Sequence, residues 1–294
     1  MNKGAHLLPL SGIALALVIC VVWGGNYTAA ATGMQHFSPF LFMILRFILL
    51  FVLLVPFLRR PPPGQWGRLI AVCLFLGAFH FSLMFWAFSR SEDVSSVAIL
   101  QQTYIPIGVM LAMLLMHERV GWRTLTAVFI SFLGVLVVGL DPLVLAQLDV
   151  LAIALASALF QALGSIYQRG LTGISPFNFQ AWTAVIAMPV MILASLLTEQ
   201  GQLETLQTAE LQHWASVVYS AVAASIVGHG LFFFLVQRHP VSSVMPYLQL
   251  TPIFGVLFGI LIWGDRPGTR LLVGGTLVIV GILLITIRAA SSRR

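Results

Sequence analysis

One stretch of this chain occurs twice, and the repeat limits the folds that the chain can adopt. Residues 94–123 and residues 241–270 are identical at eleven of 30 positions, at a constant spacing of 147 residues. The polar positions that the two copies share are Ser95/Ser242, Ser96/Ser243, Gln102/Gln249, Arg119/Arg266 and Arg123/Arg270. A repeat of this kind indicates a chain built from two copies of one unit. We therefore predict two domains, residues 1–145 and residues 146–294.

The composition predicts that both copies lie in a membrane. Of the 294 residues, 59% are hydrophobic and only 8% are charged, and the mean hydropathy is +0.99. A soluble domain carries about 25% charged residues, so the lipid bilayer is the expected solvent. The net charge of +6 does not indicate a nucleic-acid partner, because the basic residues lie in short loops between apolar runs. Cys20 and Cys73 lie inside apolar runs and predict no disulfide.

Ten segments are long and apolar enough to cross a bilayer, which takes about 20 helical residues. They are residues 10–33, 39–57, 69–89, 94–116, 123–140, 150–169, 177–197, 214–236, 241–263 and 270–288. With a cytoplasmic N-terminus, 11 Lys and Arg residues of the loops and chain ends lie on the cytoplasmic side and three on the other side. This is the usual bias. We predict a multi-pass protein of the inner (plasma) membrane with both termini in the cytoplasm.

The two copies are expected to cross the membrane in opposite directions. Ser38-Pro39-Phe40 opens the second span, and Ser175-Pro176-Phe177 opens the seventh. Spans 1–5 therefore correspond to spans 6–10, and an odd number of spans in each copy inverts the second copy. Inverted repeats recur in secondary transporters, which hold substrate near the midplane between the repeats. The predicted fold is an all-α integral membrane protein with ten transmembrane helices in two inverted five-helix repeats.

Three short motifs are similar to those of a known family. Trp23-Gly24-Gly25-Asn26-Tyr27, Arg46-Phe47 and Glu118 resemble the first-helix, second-helix and post-fourth-helix patterns of the drug/metabolite transporter superfamily, with its paired EamA domains. Asp265 is the counterpart of Glu118 in the second copy. By overall similarity, the chain also resembles the YddG-type exporters of that superfamily, which extrude aromatic and other amino acids. The second copy departs from the pattern, because Phe160-Gln161-Ala162 stands where the Trp-Gly motif would recur.

Polar and aromatic side chains inside the spans are the candidates for substrate binding. Polar groups are costly in a bilayer, so they usually face the interior of the bundle. The candidates are His80, Met84, Gln101, Tyr104, Gln161, Trp182, His229, Phe233, Tyr247 and Gln249. His80 and Met84 are four residues apart and share a helix face, as do Gln101 and Tyr104, which are three apart. Such a set suits a small amphipathic solute. The alternative for each polar member is a hydrogen bond that only joins two helices.

Charges and prolines inside the spans add further expectations. Arg46 lies about seven residues into the second span, or about 10 Å deep. It is positioned to attract a substrate carboxylate or, as the alternative, to pair locally or snorkel. None of the nine acidic residues lies at the centre of a span, so ion coupling would require His80 or His229, and a facilitator is the alternative. Pro106 and Pro252 predict kinks in the fourth and ninth spans.

Signatures of other protein classes are missing from the sequence. It has no Gly-x-x-x-x-Gly-Lys-Ser/Thr motif, no nucleophile or zinc-protease motif, and no zinc-ligand spacing. We expect no ATP drive, no cofactor, no metal and no enzymatic activity. The predicted function is a secondary transporter that exports amino acids, aromatic and other neutral ones included, or related small metabolites. The alternatives are an exporter of other drugs or metabolites, a membrane-embedded enzyme acting on lipid-linked substrates, and a channel.

Overall fold

The computed structural model describes residues 8–91, 97, 100–118, 120–139, 147–248 and 250–263, with residues 269, 273, 274, 276, 277 and 280. All regular secondary structure in these residues is helical. The helices are α1 (Leu10–Met34), α2 (Pro39–Leu54), α3 (Trp66–Arg90), α4 (Tyr104–Leu115), α5 (Trp122–Gly139), α6 (Leu148–Arg169), α7 (Pro176–Thr198), α8 (Gln202–Thr208), α9 (Leu211–Arg238), α10 (Val241–Leu248) and α11 (Thr251–Phe258). A 3₁₀ turn extends α2 over Val55–Phe57, and a π turn extends α11 over Gly259–Trp263. The predicted tenth span falls mostly outside the described residues.

Six of these helices are long and apolar enough to cross a membrane, namely α1, α2 with its 3₁₀ turn, α3, α6, α7 and α9. Large apolar side chains on them, such as Leu53, Leu193 and Leu197, are exposed. A water-facing surface rarely carries apolar patches of this extent, so these outer faces are matched to lipid. The helices α4 and α11 are also apolar but shorter.

Proline starts α2 and α7 in the same way. Pro39 and Pro176 stand at the first helical position, where the fixed φ angle suits a helix and the missing N–H has no partner to lose. Ser175 precedes Pro176, and its hydroxyl oxygen accepts a hydrogen bond from the backbone N–H of Asn178 at 3.2 Å. This is the usual N-cap contact, so the local sequence fixes where α7 begins.

Both α3 and α9 contain a π-helical segment at the centre. The segments are Cys73–His80 and Ser220–His229, and each ends at a histidine. A π-helix is bonded from residue i to residue i+5, so its turns are wider, and such segments are frequent at functional sites. In α9 the Ser225 hydroxyl donates to the Ser220 carbonyl oxygen at 2.9 Å. The two wide segments place polar side chains at the middle of the bundle.

The fourth and ninth predicted spans are broken. Before α4 the chain turns at Gln102 and Thr103, and between α10 and α11 it turns at Leu250. Pro106 and Pro252 stand in the first turn of the restarted helices, where the missing N–H costs no hydrogen bond. The helix is therefore interrupted near both prolines, and the predicted kinks stay predictions. Irregular backbone at membrane depth is tolerated where it is buried in protein or lines a cavity.

The helices α2 and α7 pack side by side in opposite directions. At one end, the Phe40 N–H at the start of α2 donates to the carboxylate of Glu199, which follows α7, at 2.7 Å. At the other end, the Arg59 N–H after α2 donates to the side-chain oxygen of Asn178 in the first turn of α7, at 3.0 Å. The two contacts, one at each end, show that α2 and α7 are antiparallel.

The helices α1 and α6 pack mainly on the opposite half of the chain. The first lies against α9 and α11, and the second lies against α3 and α4. This crosswise packing brings the π segments of α3 and α9 close to the breaks before α4 and α11. The middle of the structure is therefore built from irregular helix on several sides.

Candidate substrate-binding site

A cavity lies where α1, α2, α3, α6 and α9 meet the breaks before α4 and α11. Its volume is about 50 Å³. A cavity of this size has room for about four waters. The lining residues are Trp23, Asn26, Tyr27, Arg46, His80, Phe81, Met84, Gln101, Gln102, Tyr104, Gln161, Ala224, His229 and Thr251. None of them is a carboxylate. The cavity is therefore lined by neutral polar groups, aromatic rings and one arginine.

Arg46 supplies the positive charge of the cavity. Its side chain is only 1% exposed. The Nε group donates to the Ser225 hydroxyl of the α9 π segment at 2.8 Å, and Nη1 lies 3.9 Å from the Met43 sulfur. The guanidinium carbon lies 4.5 Å from the centre of the Phe81 ring, which is a cation–π distance. All of these partners are uncharged.

His80 ends the π segment of α3 and is bonded to α6. Its Nδ1 lies 2.9 Å from the Ser157 hydroxyl, and the same hydroxyl donates to the His80 carbonyl oxygen at 2.8 Å. A hydroxyl that donates its only proton to the carbonyl is left to accept from Nδ1–H. In the neutral ring, Nε2 is then a hydrogen-bond acceptor. The α6 contact thus sets both the orientation and the tautomer of His80.

The break before α4 places three polar side chains at the cavity. Gln101 donates from its amide nitrogen to the Ala154 carbonyl oxygen of α6 at 3.2 Å, and its Oε1 is buried without a hydrogen bond from any described residue. Gln102 donates from its amide nitrogen to the hydroxyl of Tyr27 at 3.3 Å. Tyr104 is buried and begins the restarted helix. The break therefore presents amide and phenol groups that a continuous helix would distribute around its circumference.

Aromatic rings form one wall of the cavity around His229. The Trp23 ring lies 4.8 Å from the His229 ring, and the Phe81 ring lies 5.6 Å from it, edge to face. The indole N–H of Trp23 donates to the Ala224 carbonyl oxygen of the α9 π segment at 3.2 Å. The ring of His229 is thus held between α1 and α3.

Hydrogen bonds from neighbouring helices support the Arg46 contact. Gln180 of α7 donates to the Ser225 carbonyl oxygen at 2.6 Å. Ser220, at the other end of the π segment, donates to the Asn26 side-chain oxygen of α1 at 2.6 Å. These bonds connect α1, α2, α7 and α9 through one polar chain, which fixes Ser225 as the partner of Arg46.

A carboxylate joins two helices at a different place in the bundle. His117 has a φ angle of 53° and ends α4 in a left-handed turn, which puts Glu118 beside the start of α10. The Glu118 carboxylate accepts from the backbone N–H groups of Val241 and Ser242, both at 3.2 Å, and from the Ser242 hydroxyl at 2.5 Å. Arg169 of α6 lies 3.7 Å away. An anion at a helix N-terminus is stabilised by unpaired N–H groups and the helix dipole.

The structure brings together six of the ten side chains predicted to bind substrate, namely His80, Met84, Gln101, Tyr104, Gln161 and His229. Three others lie elsewhere. Trp182 donates to the Arg59 carbonyl oxygen at 2.9 Å and packs edge to face on Trp66. Phe233 stacks on Phe179 in a separate apolar cluster, and Tyr247 is buried in another. Gln249 lies outside the described residues.

Several residues that line the cavity are not among the predicted binding residues. Trp23, Asn26 and Tyr27 belong to the motif that carries the family resemblance, so that motif is the available signal for them. For Arg46, its depth in the second span leaves both a binding role and a local pairing or snorkelling as alternatives, and the latter is the more frequent outcome for such a residue. Ala224 and Thr251 carry no signal in the sequence, because only the wide turn of α9 and the break before α11 bring them to the cavity.

The helices and the cavity together define a helical membrane protein with a polar cavity at its centre. The chain belongs to the EamA-like transporter family, whose model matches residues 10–140 and residues 149–287. One relative, from Salmonella typhimurium, is described as a "Probable amino-acid metabolite efflux pump" and is 27% identical over 285 residues, with 92% of this chain and 93% of the relative covered. An Escherichia coli relative of the same description is 25% identical over 278 residues, with 92% and 93% covered.

A solved crystal structure shares the fold. It matches this structure with a TM-score of 0.76 at 15% sequence identity, and the match covers 97% of this chain and 99% of that chain. At this identity the match concerns the fold alone.

Proposed function

We propose that the protein is a secondary transporter that exports amino acids, aromatic and other neutral ones included, or related small metabolites, by alternating access. The observation that carries the proposal is the central polar cavity, which is lined by side chains from both segments that match the family. A carrier of this class holds substrate near the membrane midplane, between two repeats that move against each other.

The proposed architecture is an inverted repeat of ten helices, with residues 1–145 and residues 146–294 as its two units. Four observations support it. The family model matches the chain twice, α2 and α7 are antiparallel, and both α3 and α9 carry π segments. The breaks before α4 and α11 also lie 147 residues apart, since these helices restart at Tyr104 and Thr251. Discontinuous helices beside a central site are typical of such carriers.

The chemistry of the cavity supports an amino acid as the substrate. Aromatic rings and Met84 suit an apolar side chain, and neutral amides and histidines suit the polar end of the molecule. The relatives named above are both described as efflux pumps for amino-acid metabolites. The cavity volume of about 50 Å³ fits a head group, so a large side chain would require the helices around the cavity to move.

We place the protein in the inner membrane with both termini in the cytoplasm, as the distribution of Lys and Arg predicts. Transport would then run down the gradient of the amino acid or be coupled to an ion. His80 and His229 line the cavity without a carboxylate beside them, so they are the groups through which a proton would act. ATP has no part in the proposal.

Flux measurements in reconstituted vesicles test the proposal. Purified protein is placed in liposomes loaded with tritiated phenylalanine or methionine, and release is compared with that from protein-free liposomes over a range of internal concentrations. A carrier gives release that saturates, with a pH gradient changing the rate only if protons are coupled. Release at the protein-free rate for a broad panel of amino acids would refute the proposal, and release that never saturates would favour a channel.

A further inference from the structure

The central cavity contains a buried positive charge that no described acidic group neutralises. Arg46 is 1% exposed, and its contacts are the Ser225 hydroxyl, the Met43 sulfur and the Phe81 ring. The described carboxylates that form ion pairs bind other residues, Asp149 with Arg90 and Glu118 with Arg169. Glu199 is bonded to the start of α2. Within the described part of the chain, Arg46 therefore has only uncharged partners.

An unpaired buried charge is costly, and proteins usually pair it. A guanidinium has five N–H donors in a planar arrangement that matches a carboxylate. The two hydrogen bonds of Arg46 use Nε and Nη1, and the Nη2 amino group takes part in neither. Because Arg46 lines the cavity, an anionic group that enters the cavity can reach it without displacing a carboxylate of the protein.

The surroundings of Arg46 are suited to a binding role. Ser225 is held from both sides, since its carbonyl oxygen accepts from Gln180 and its hydroxyl donates to the Ser220 carbonyl oxygen. A fixed hydroxyl acceptor holds the guanidinium at one edge. The ring of Phe81 lies against its carbon. The side chain is therefore pre-organised, which lowers the entropy lost on binding.

We propose that Arg46 binds the carboxylate of the transported molecule, so that the site recognises the head group of an α-amino acid. This inference rests on the proposed function. The ammonium group would meet neutral acceptors of the same cavity, Gln101 Oε1, which has no described donor, and Nε2 of His80. If the polar contacts recognise only the head group, they do not select for the side chain of the amino acid. The proposal therefore predicts a transporter that accepts amino acids of several kinds.

The first test compares probe molecules on the unaltered protein, so it does not depend on the folding of a variant. The assay measures uptake of tritiated phenylalanine into liposomes by exchange. Unlabelled phenylalanine, phenylalaninamide, phenethylamine or 3-phenylpropionate is added as a competitor, and its half-inhibitory concentration is determined. Loss of the carboxylate removes a charge-assisted hydrogen bond, and we expect the half-inhibitory concentrations of the amide and the amine to rise about 10- to 100-fold. The propionate keeps the carboxylate and is expected to inhibit better than the amine. Equal inhibition by phenylalanine, its amide and the amine would overturn the proposal.

The second test uses variants of Arg46 and two controls. Arg46→Met is expected to abolish the preference for the acid over the amide, and Arg46→Lys to restore part of it, because Lys keeps the charge but not the planar donors. Ser225→Ala is an intermediate control, because it removes the hydroxyl that orients the guanidinium but leaves the charge, so the preference for the acid should weaken without being lost. Arg238→Gln changes an arginine on Phe234 and should alter nothing. A preference that survives in Arg46→Met would overturn the proposal.

A binding measurement separates this inference from the proposed function. The thermal unfolding of the detergent-solubilised protein is followed with 3-phenylpropionate and with 3-phenylpropionamide, in which a neutral amide of similar size replaces the carboxylate. We expect the acid to raise the Tm of the unaltered protein, the amide to raise it less, and neither to do so in Arg46→Met. Stabilisation by the acid without any amino-acid flux would refute the transport function but retain the anion site. Equal effects of acid and amide, or none, would refute the anion site.

Discussion

The close contact between α1 and α11 predicts the effect of adding one methyl group at Gly24. A Cβ atom at this position would lie 2.6 Å from the Phe254 Cβ and 2.8 Å from the Gly255 backbone nitrogen, whereas ordinary contacts begin at 3.4 Å. The helices would have to separate by about 1 Å, since backbone atoms cannot rotate away. Overpacking of this kind lowers the free energy of unfolding by about 1–3 kcal/mol. The higher helix propensity of alanine raises it by about 1 kcal/mol. We expect Gly24→Ala to destabilise the protein by up to about 2 kcal/mol, and by about 1–3 kcal/mol relative to a Gly→Ala change at an uncrowded helical position.

The matched control is Gly67→Ala, because Gly67 is exposed and helical, and a Cβ atom added there would have no other atom within 4 Å. Its stability should be unchanged or rise by up to about 1 kcal/mol, since alanine has the higher helix propensity and meets no other atom there. Thermal unfolding in detergent and flux in liposomes are measured for both variants. Gly24→Ala should lower the Tm and also the flux, because α1 carries Trp23, Asn26 and Tyr27 to the cavity. A Tm of Gly24→Ala equal to or above that of Gly67→Ala would refute the reasoning from the contact.

Three further predictions follow from the contacts. Glu118→Gln keeps an acceptor for the start of α10 but loses the charge and the pairing with Arg169, so we expect a loss of about 1–2 kcal/mol of stability; unaltered thermal unfolding would contradict this. Ser157→Ala removes the hydroxyl that bonds both Nδ1 and the carbonyl oxygen of His80 and leaves only the Ser157 carbonyl oxygen, 3.3 Å from Nδ1. It should lower flux about fivefold at unchanged expression, and unchanged flux would show that the hydroxyl is not needed to orient His80. Trp182→Phe should leave flux within about twofold of the unaltered protein, since the hydrogen bond of Trp182 to a loop carbonyl is worth about 1 kcal/mol. A larger loss of flux at normal expression would indicate that Trp182 has a role in substrate binding.

Six of the ten predicted spans coincide with described helices that are long and apolar enough to cross a membrane, because hydropathy and length are local properties. α6 and α7 lie close to the predicted bounds. The helix breaks could not be predicted, because a proline in the middle of an apolar run has the same appearance in a kinked helix and in a restarted one. Only the surrounding packing decides between them. In the same way, nothing in the residues of Cys73–His80 distinguishes a π segment from an ordinary turn of helix.

The residues that line the cavity could be predicted where helical spacing alone decides which side chains share a face. His80 and Met84 are four residues apart, and the structure places both at the cavity. The surroundings of Arg46 could not be predicted, because counting along one span gives its depth but not the neighbours that α7 and α9 bring to it. Trp182 and Phe233 are aromatic residues in spans, and residue type does not separate a cavity wall from packing between helices.

The crosswise packing of α1 has a consequence for the biosynthesis of the chain. Asn26 is bonded to Ser220, which lies 194 residues later, and Trp23 to Ala224, which lies 201 residues later. A ribosome that adds ~5–20 residues per second needs roughly 10–40 seconds to make the intervening chain. During that time α1 stays in the membrane without its partners, with a polar amide facing lipid, water or the insertion machinery. Assembly of the cavity is therefore an event that follows translation, and the first half of the chain is unfinished until the second half has been inserted.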